Sequence, residues 1–330
     1  MTDRILVTGG AGFVGSNLIR FLLEKTAYSV VCLDRLDEAG TLERLTELKQ
    51  AQPDRLQCIF HDLKAAINPA HRSYKPLREP FTYVAHLAAM SHVDRAIRDP
   101  IGAIYDNVLG TGHLLEYVRH HQPETKTLIF STDEVFGPAK PGESFDEYAR
   151  FNAENAYAAT KAGAEALAPA YVHQYGCRIV VSRCANVYGP GQYQEKFIPL
   201  CIDKIQRGEL VQIHARDGQS SSRLYIHTDD VSSAVLTILE KGGVIADDRS
   251  GRYNISTGIE WSNLHVADQI AALLCKPLKF ELVERPAGRP KPDMRYDIDA
   301  SRLRALGWAP KVSLDDGLRS VVLGDALRAA

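Results

Sequence analysis

Through the first half of the chain, short apolar runs alternate with longer amphipathic stretches. Ile5-Leu6-Val7, Val30-Val31-Cys32-Leu33, Leu56 to Phe60, Tyr83 to Leu87, Leu128-Ile129-Phe130 and Ile179-Val180-Val181 read as buried strands. Between most of them apolar residues recur at helical spacing, which predicts helices over 14–25, 41–51, 101–121 and 157–175. Strands separated by helices imply a parallel sheet with helices on both faces. After Arg183 the pattern loosens. Pro190, Pro199, Pro277, Pro286, Pro290, Pro292 and Pro310 mark irregular connections, with helices expected near 195–207, 229–240, 262–274 and 301–306. The expected architecture is α/β: residues 1–185 form a doubly wound parallel sheet, 225–245 return to it, and 186–330 form a smaller mixed α/β lobe.

The length of 330 residues suits one large domain with an added lobe. The formal charge of -2 argues against a general nucleic-acid binder, so an anionic ligand needs a few placed Arg and Lys residues. No apolar run reaches the ~18 residues of a membrane helix. Met1-Thr2-Asp3-Arg4 leads straight into a strand-like run, with no signal peptide. The six cysteines, Cys32, Cys58, Cys177, Cys184, Cys201 and Cys275, are scattered, as expected for free thiols in a reducing cytoplasm. The eleven histidines form no zinc signature, so no metal is expected, and His120-His121 read as surface residues.

Chemistry concentrates in three places. Thr8-Gly9-Gly10-Ala11-Gly12-Phe13-Val14-Gly15 follows a strand and opens a helix. Glycines there allow a tight turn and close approach to a pyrophosphate, and the helix N-terminus offers free N–H groups. Asp34 ends the next strand about 20 residues on, as ribose recognition requires. These features make the sheet Rossmann-type and favour NAD over NADP, because a carboxylate repels a 2′-phosphate; Arg35 beside it could soften that preference. Asp62 reads either as an adenine contact or as a turn residue.

Tyr157 and Lys161 lie one helical turn apart and share a face. A free tyrosine, with a pKa near ~10, is a poor base at neutral pH. A neighbouring ammonium and the nicotinium charge are expected to lower it. Ser131-Thr132-Asp133-Glu134 closes the fifth strand, where ligands of open parallel sheets bind. Repulsion between the adjacent carboxylates raises one pKa and yields an acid and a base, suited to loss of water; a capped, solvated loop is the plain alternative.

On these stretches the chain resembles the extended short-chain dehydrogenase/reductases, and most of all the dTDP-glucose 4,6-dehydratases. The match continues through His86-Leu87-Ala88-Ala89, Ser91-His92-Val93-Asp94-Arg95, Asn107 to Thr111, Tyr157 to Ala162, Tyr188-Gly189-Pro190, Tyr253-Asn254-Ile255 and Tyr296 to Ser301, from residue 4 to about 320. The resemblance implies that Thr132 and Tyr157 bind the sugar 4-hydroxyl, Tyr157 acts as base, Lys161 holds the nicotinamide ribose, Asp133 protonates the departing 6-hydroxyl and Glu134 removes the C5 proton. It implies NAD contacts by Gly9, Gly12, Phe13, Val14, Gly15, Asp34, Arg35, Asp62, Leu63, Leu87, Ala88, Ala89 and Asn107. It also implies a nucleotide-diphosphate hexose held by Ser91, Asn186, Glu195, Lys196, Phe197, Arg223, Asn254, Arg295 and Tyr296. Arginine suits diphosphate because its planar fork gives two charge-assisted bonds. The family pairs subunits through a four-helix bundle, so a homodimer is expected, with helices 101–121 and 157–175 apolar on more than one face.

Departures from the family pattern fall around the substrate. Met90 replaces a glutamate, Val187 an asparagine, and Gln212 and His214 a proline and a tyrosine; Ser220-Ser221-Ser222 precedes Arg223 where an Arg-Asp-Trp run is common. They leave the base and the hexose open. Two other readings stay in view: a UDP-sugar 4-epimerase or decarboxylase of the same fold, and a non-catalytic dinucleotide-binding protein.

Overall fold

In the computed structural model, which describes residues 3–37, 40–284 and 294–329, all six apolar runs are strands. They are β1 (Arg4–Thr8), β2 (Ser29–Asp34), β3 (Leu56–Phe60), β4 (Tyr83–His86), β5 (Lys126–Thr132) and β6 (Ile179–Cys184). The remaining strands are β7 (Asn186–Tyr188), β8 (Val211–Arg216), β9 (Gln219–Ser220), β10 (Ser222–His227), β11 (Arg252–Ile255), β12 (Glu260–Ser262) and β13 (Phe280–Val283). The main sheet has the order β11-β6-β5-β4-β1-β2-β3, and every neighbouring pair is parallel. This is a Rossmann-type fold, with the order reversing between β1 and β4, so a crevice opens there at the carboxyl ends of the strands.

Helices α1 (Phe13–Lys25), α2 (Leu42–Ala51), α3 (Val93–Arg98), α4 (Pro100–Ile104), α5 (Gly110–His121), α6 (Ala156–Tyr175) and α8 (Thr228–Lys241) flank that sheet, and α8 packs on α1. The stretch 101–121 is not one regular helix. α4 opens on Pro100 with Asp99 as its cap, and a π-helical turn (Tyr105–Leu109) joins it to α5. That extra residue per turn helps to bring Asp106 and Asn107 inside, where both are buried.

The second part of the chain builds two small sheets, β12-β10-β7 and β13-β8-β9. Its separate core joins α7 (Phe197–Arg207), α9 (Asn263–Leu273) and α11 (Leu314–Ala329) through Ile198, Ile202, Val266, Ile270, Leu318 and Val321. The short α10 (Ser301–Arg304) matches the helix expected near 301–306. The basic, proline-rich stretch Arg285 to Pro292 lies outside the described residues. Among the described residues no helix is long and apolar enough to cross a membrane.

Candidate active site

A cleft runs along the carboxyl ends of β1, β2, β4, β5 and β6 and is closed on one side by β7 and the loop before α7. At its floor the glycine loop approaches the neighbouring backbone closely. Gly9 has φ of +72°, and a Cβ there would sit 2.6 Å from the Ala88 nitrogen; one at Gly15 would sit 2.1 Å from the Gly9 carbonyl. Gly12 caps α1 without a side chain, so no side-chain oxygen covers the first N–H groups. A bare helix N-terminus at the bottom of a cleft fits a pyrophosphate.

Asp34 is buried at the end of β2 and accepts from the backbone nitrogens of Ala11 (2.9 Å) and Leu36 (2.8 Å). Those bonds place its carboxylate at the cleft wall. Arg35 is committed elsewhere: its guanidinium donates to both oxygens of Asp106, at 2.5 and 3.0 Å, and pairs with Asp37. The residue expected to soften the cofactor preference is therefore neutralised by a buried carboxylate. Phe13, Val14, Asp62, Leu63, Leu87, Ala88 and Ala89 also line the cleft. Asn107 does not. Its side chain accepts from the Met90 N–H (2.7 Å) and donates to the Met90 carbonyl (3.1 Å) and Thr160 (2.8 Å), so it fixes the β4 loop against α6 from behind.

Midway along the cleft, β5 ends in Thr132 and continues into a single 3₁₀ turn, Asp133–Phe136, so the chain reverses just where the two carboxylates emerge. Thr132 caps this turn, accepting from the Glu134 N–H at 3.3 Å, and donates to Asp133 Oδ1 at 3.1 Å. Burial, and then the neighbouring Glu134, push the Asp133 carboxyl up to about 7. Its Oδ2 accepts no hydrogen bond among the described residues. Asp133 is thus a carboxylic acid able to hold a proton near neutral pH, while half-buried Glu134 stands beside it. The acid and base expected from the sequence differ in burial as well as in charge.

Tyr157 and Lys161 face the same cleft from the first turns of α6. Lys161 Nζ donates to the Phe130 carbonyl at 2.6 Å, and burial lowers it to about 8. Tyr157 departs from expectation: burial, then the charge of Glu134, push its phenol upward, and the Thr132 hydroxyl offsets this only in part. The ammonium alone does not prepare the base. Removing water from the phenol and setting it beside two carboxylates both oppose its ionisation.

Of the residues expected to hold substrate, Ser91, Asn186 and Lys196 line the cleft, with Met90 and Val187 between them. Glu195 lies at its rim in contact with His92 Nε2, at 3.0 Å. Phe197 packs against the second core. Asn254 is fully buried in β11, donating to the carbonyls of Phe145 and Asp299 at 3.1 Å each, which fastens the sheet edge and leaves it outside the cleft. Arg295 is bound to Glu260 (3.0 Å) and to the carbonyls of Lys140 and Glu143, and Tyr296 is buried beneath the Arg223 guanidinium, 5.1 Å from its ring centre. Arg223 donates to the Ser222 and Met294 carbonyls yet lies near enough to draw down the Asp133 carboxyl. Sequence reasoning missed His92, Arg95 and Tyr193, which line the cleft, with Arg95 donating to the Tyr193 hydroxyl at 2.8 Å. It also missed Asn155, the cap of α6, although an Asn just before an apolar helical run is a start signal.

The chain is 38% identical over 318 residues to a dTDP-glucose 4,6-dehydratase of Mycolicibacterium smegmatis, covering 93% of this chain and 88% of that one. The structure superposes on the dTDP-glucose 4,6-dehydratase of Bacillus anthracis in complex with NAD with a TM-score of 0.84 at 31% identity, covering 99% of this chain and 97% of the other. It superposes equally well, at 0.85 and 29% identity over 99% of each chain, on a UDP-glucose 4-epimerase of Thermus thermophilus in complex with NAD, so the fold by itself does not separate the two reactions. Residues 6–321 match the family model for GDP-mannose 4,6 dehydratase, and the chain belongs to that family.

Proposed function

We propose that the protein is an NAD-dependent nucleotide-diphosphate-hexose 4,6-dehydratase, a hydro-lyase that forms an NDP-4-keto-6-deoxyhexose. The observation that carries this is Asp133, a buried acid with a raised pKa, set beside Glu134 at the same cleft as Tyr157. Epimerisation at C4 needs no second acid-base pair. Bound NAD supplies the acceptor, and later the donor, of a hydride, together with a positive ring charge. That charge offsets the burial that opposes ionisation of Tyr157.

Tyr157 takes the proton of the 4-hydroxyl, oriented by Thr132. The resulting 4-ketone acidifies C5–H, and Glu134 removes that proton. Asp133 gives its proton to the 6-hydroxyl as the C6–O bond breaks, so one water leaves. C5 then regains a proton while C6 takes the hydride that bound NAD would return, so the double bond is reduced and no cofactor is consumed. Lys161, anchored on the Phe130 carbonyl, holds the nicotinamide ribose. Ser91, Asn186, Lys196 and Arg223 hold the sugar diphosphate. Residues 1–185, with 225–245, form the cofactor part and 186–330 the nucleotide-sugar part.

The enzyme works as a homodimer in the cytoplasm, where its free cysteines stay reduced. Ile97, Ile101, Ile104, Tyr105 and Leu109 form an exposed apolar strip along α3, α4 and the π turn. Ala159, Ala166 and Ala170 are exposed on α6, which packs beside them, and together they make a face suited to pairing two subunits. Asp133→Asn with Glu134→Gln tests the reaction. The pair is expected to lower dehydration by ~10² or more while NAD binding persists; an unchanged rate would refute the assignment.

A further inference from the structure

The catalytic carboxylate Glu134 and the catalytic helix α6 share one side chain. Asn155 Oδ1 accepts from the Ala158 N–H at 2.8 Å and so caps α6, while its Nδ2 donates to Glu134 Oε2 at 2.9 Å. Tyr157 lies two residues further on and Lys161 one turn beyond that. The backbone N–H can only donate and a carboxylate can only accept, so the orientation of the amide is fixed by its two partners. No shorter or singly functional cap does both. Serine caps a helix but does not reach Glu134, and aspartate caps it but brings a second negative charge against the carboxylate.

From this juxtaposition we infer that Asn155 is a positioning residue for the C5 base: it holds the Glu134 carboxylate in fixed register with Tyr157, so that the two proton acceptors of the reaction stay matched to one sugar. The inference rests on the dehydratase reading, in which Glu134 removes the C5 proton. Among the described residues this amide bonds the Ala158 N–H and Glu134, and neither the Tyr157 hydroxyl nor the glycine loop. Serine keeps the cap that places Tyr157, so loss of the Glu134 bond alone falls first on elimination and only second on oxidation at C4.

The test is Asn155→Ser, which keeps a good cap, with Asn155→Ala as the control that loses both bonds. The three proteins are given dTDP-glucose in D2O, and three quantities are read: Tm with cofactor content, the pre-steady-state formation of reduced nicotinamide, and incorporation of deuterium at C5. The expected result for Asn155→Ser is wild-type Tm, cofactor content and nicotinamide reduction, with C5 exchange slower by about 10-fold or more, the effect of losing a hydrogen bond to a charged group. Asn155→Ala is expected to show the same slow exchange and a lower Tm. Wild-type exchange in Asn155→Ser overturns the inference alone. Wild-type protein that reduces its nicotinamide yet incorporates no deuterium overturns the role of Glu134, and this inference with it.

Discussion

Arg35 and Asp106 form a two-bond ion pair across the mouth of the cofactor cleft, with the arginine on the loop after β2 and the buried aspartate on the π turn before α5. Lys64 adds a second cation, 3.2 Å from the same carboxylate. An arginine next to Asp34, the aspartate proposed to hold the ribose, would ordinarily invite a 2′-phosphate, but here its fork is filled. Asp106→Asn removes the buried charge that holds one side of that fork and leaves the Asp37 pair in place. The expected outcome is a rise of about 10-fold in affinity for NADP relative to NAD, measured by titration of the apoprotein; an unchanged ratio would mean that Asp34 alone sets the preference.

Asp133 carries a pH signature in stability as well as in rate. Folded, it keeps its proton up to about pH 7; unfolded, it releases it near the ordinary carboxylate value. Between those points the folded state binds more protons, so the contribution of Asp133 to stability, present at low pH, is lost as pH rises through about 7. Asp133→Asn removes the cost of burying that charge. The variant is expected to exceed wild type in Tm at about pH 8 and to match it near pH 4, read by circular dichroism, while dehydration falls by ~10²–10⁴.

The glycine loop gives a steric prediction. A Cβ at Gly15 meets the Gly9 carbonyl at 2.1 Å and the Gly10 Cα at 2.7 Å, both backbone atoms with no easy escape. Gly15→Ala should purify without NAD and unfold at lower temperature. Co-purified cofactor at wild-type levels would show that the loop has more freedom than its contacts allow.

Placing a charge at the centre of the exposed apolar strip, as in Ile101→Asp, should convert the proposed dimer to a monomer in sedimentation velocity, with NAD still bound. A wild-type protein that sediments as a monomer at micromolar concentration would remove the basis of that expectation.

What the sequence disclosed and what it hid follow from burial. Of the six strands of the first half, β1, β2, β4, β5 and β6 are largely buried, so their residues form near-continuous apolar runs that stand out, while edge strand β3 is more than half exposed. β7, β9 and β12 are two or three residues long and carry polar residues, which leaves no periodicity to read. β11 was hidden because its Asn254 is polar yet fully buried; paired with β6, it spends its donors on backbone carbonyls, and a residue matched to the phosphates by resemblance proves to be a fastening of the sheet edge. α11 does carry a sequence signal, since Leu314, Leu318, Val321 and Val322 follow helical spacing, but the preceding prolines mask it. In the site, residue types and spacing located Asp133, Glu134, Tyr157 and Lys161, but not their protonation. The upward displacement of Tyr157 depends on burial and on carboxylates brought close only by the fold. The neutralisation of Arg35 joins residues far apart in the chain, beyond any local pattern.

Dehydration itself is tested most directly by mass spectrometry of the product formed from dTDP-glucose in D2O by the purified protein without added NAD. The expected product has lost one water and carries one solvent deuterium at C5. A product of unchanged elemental composition, inverted at C4 and free of deuterium at C5, would contradict the assignment and make the protein an epimerase.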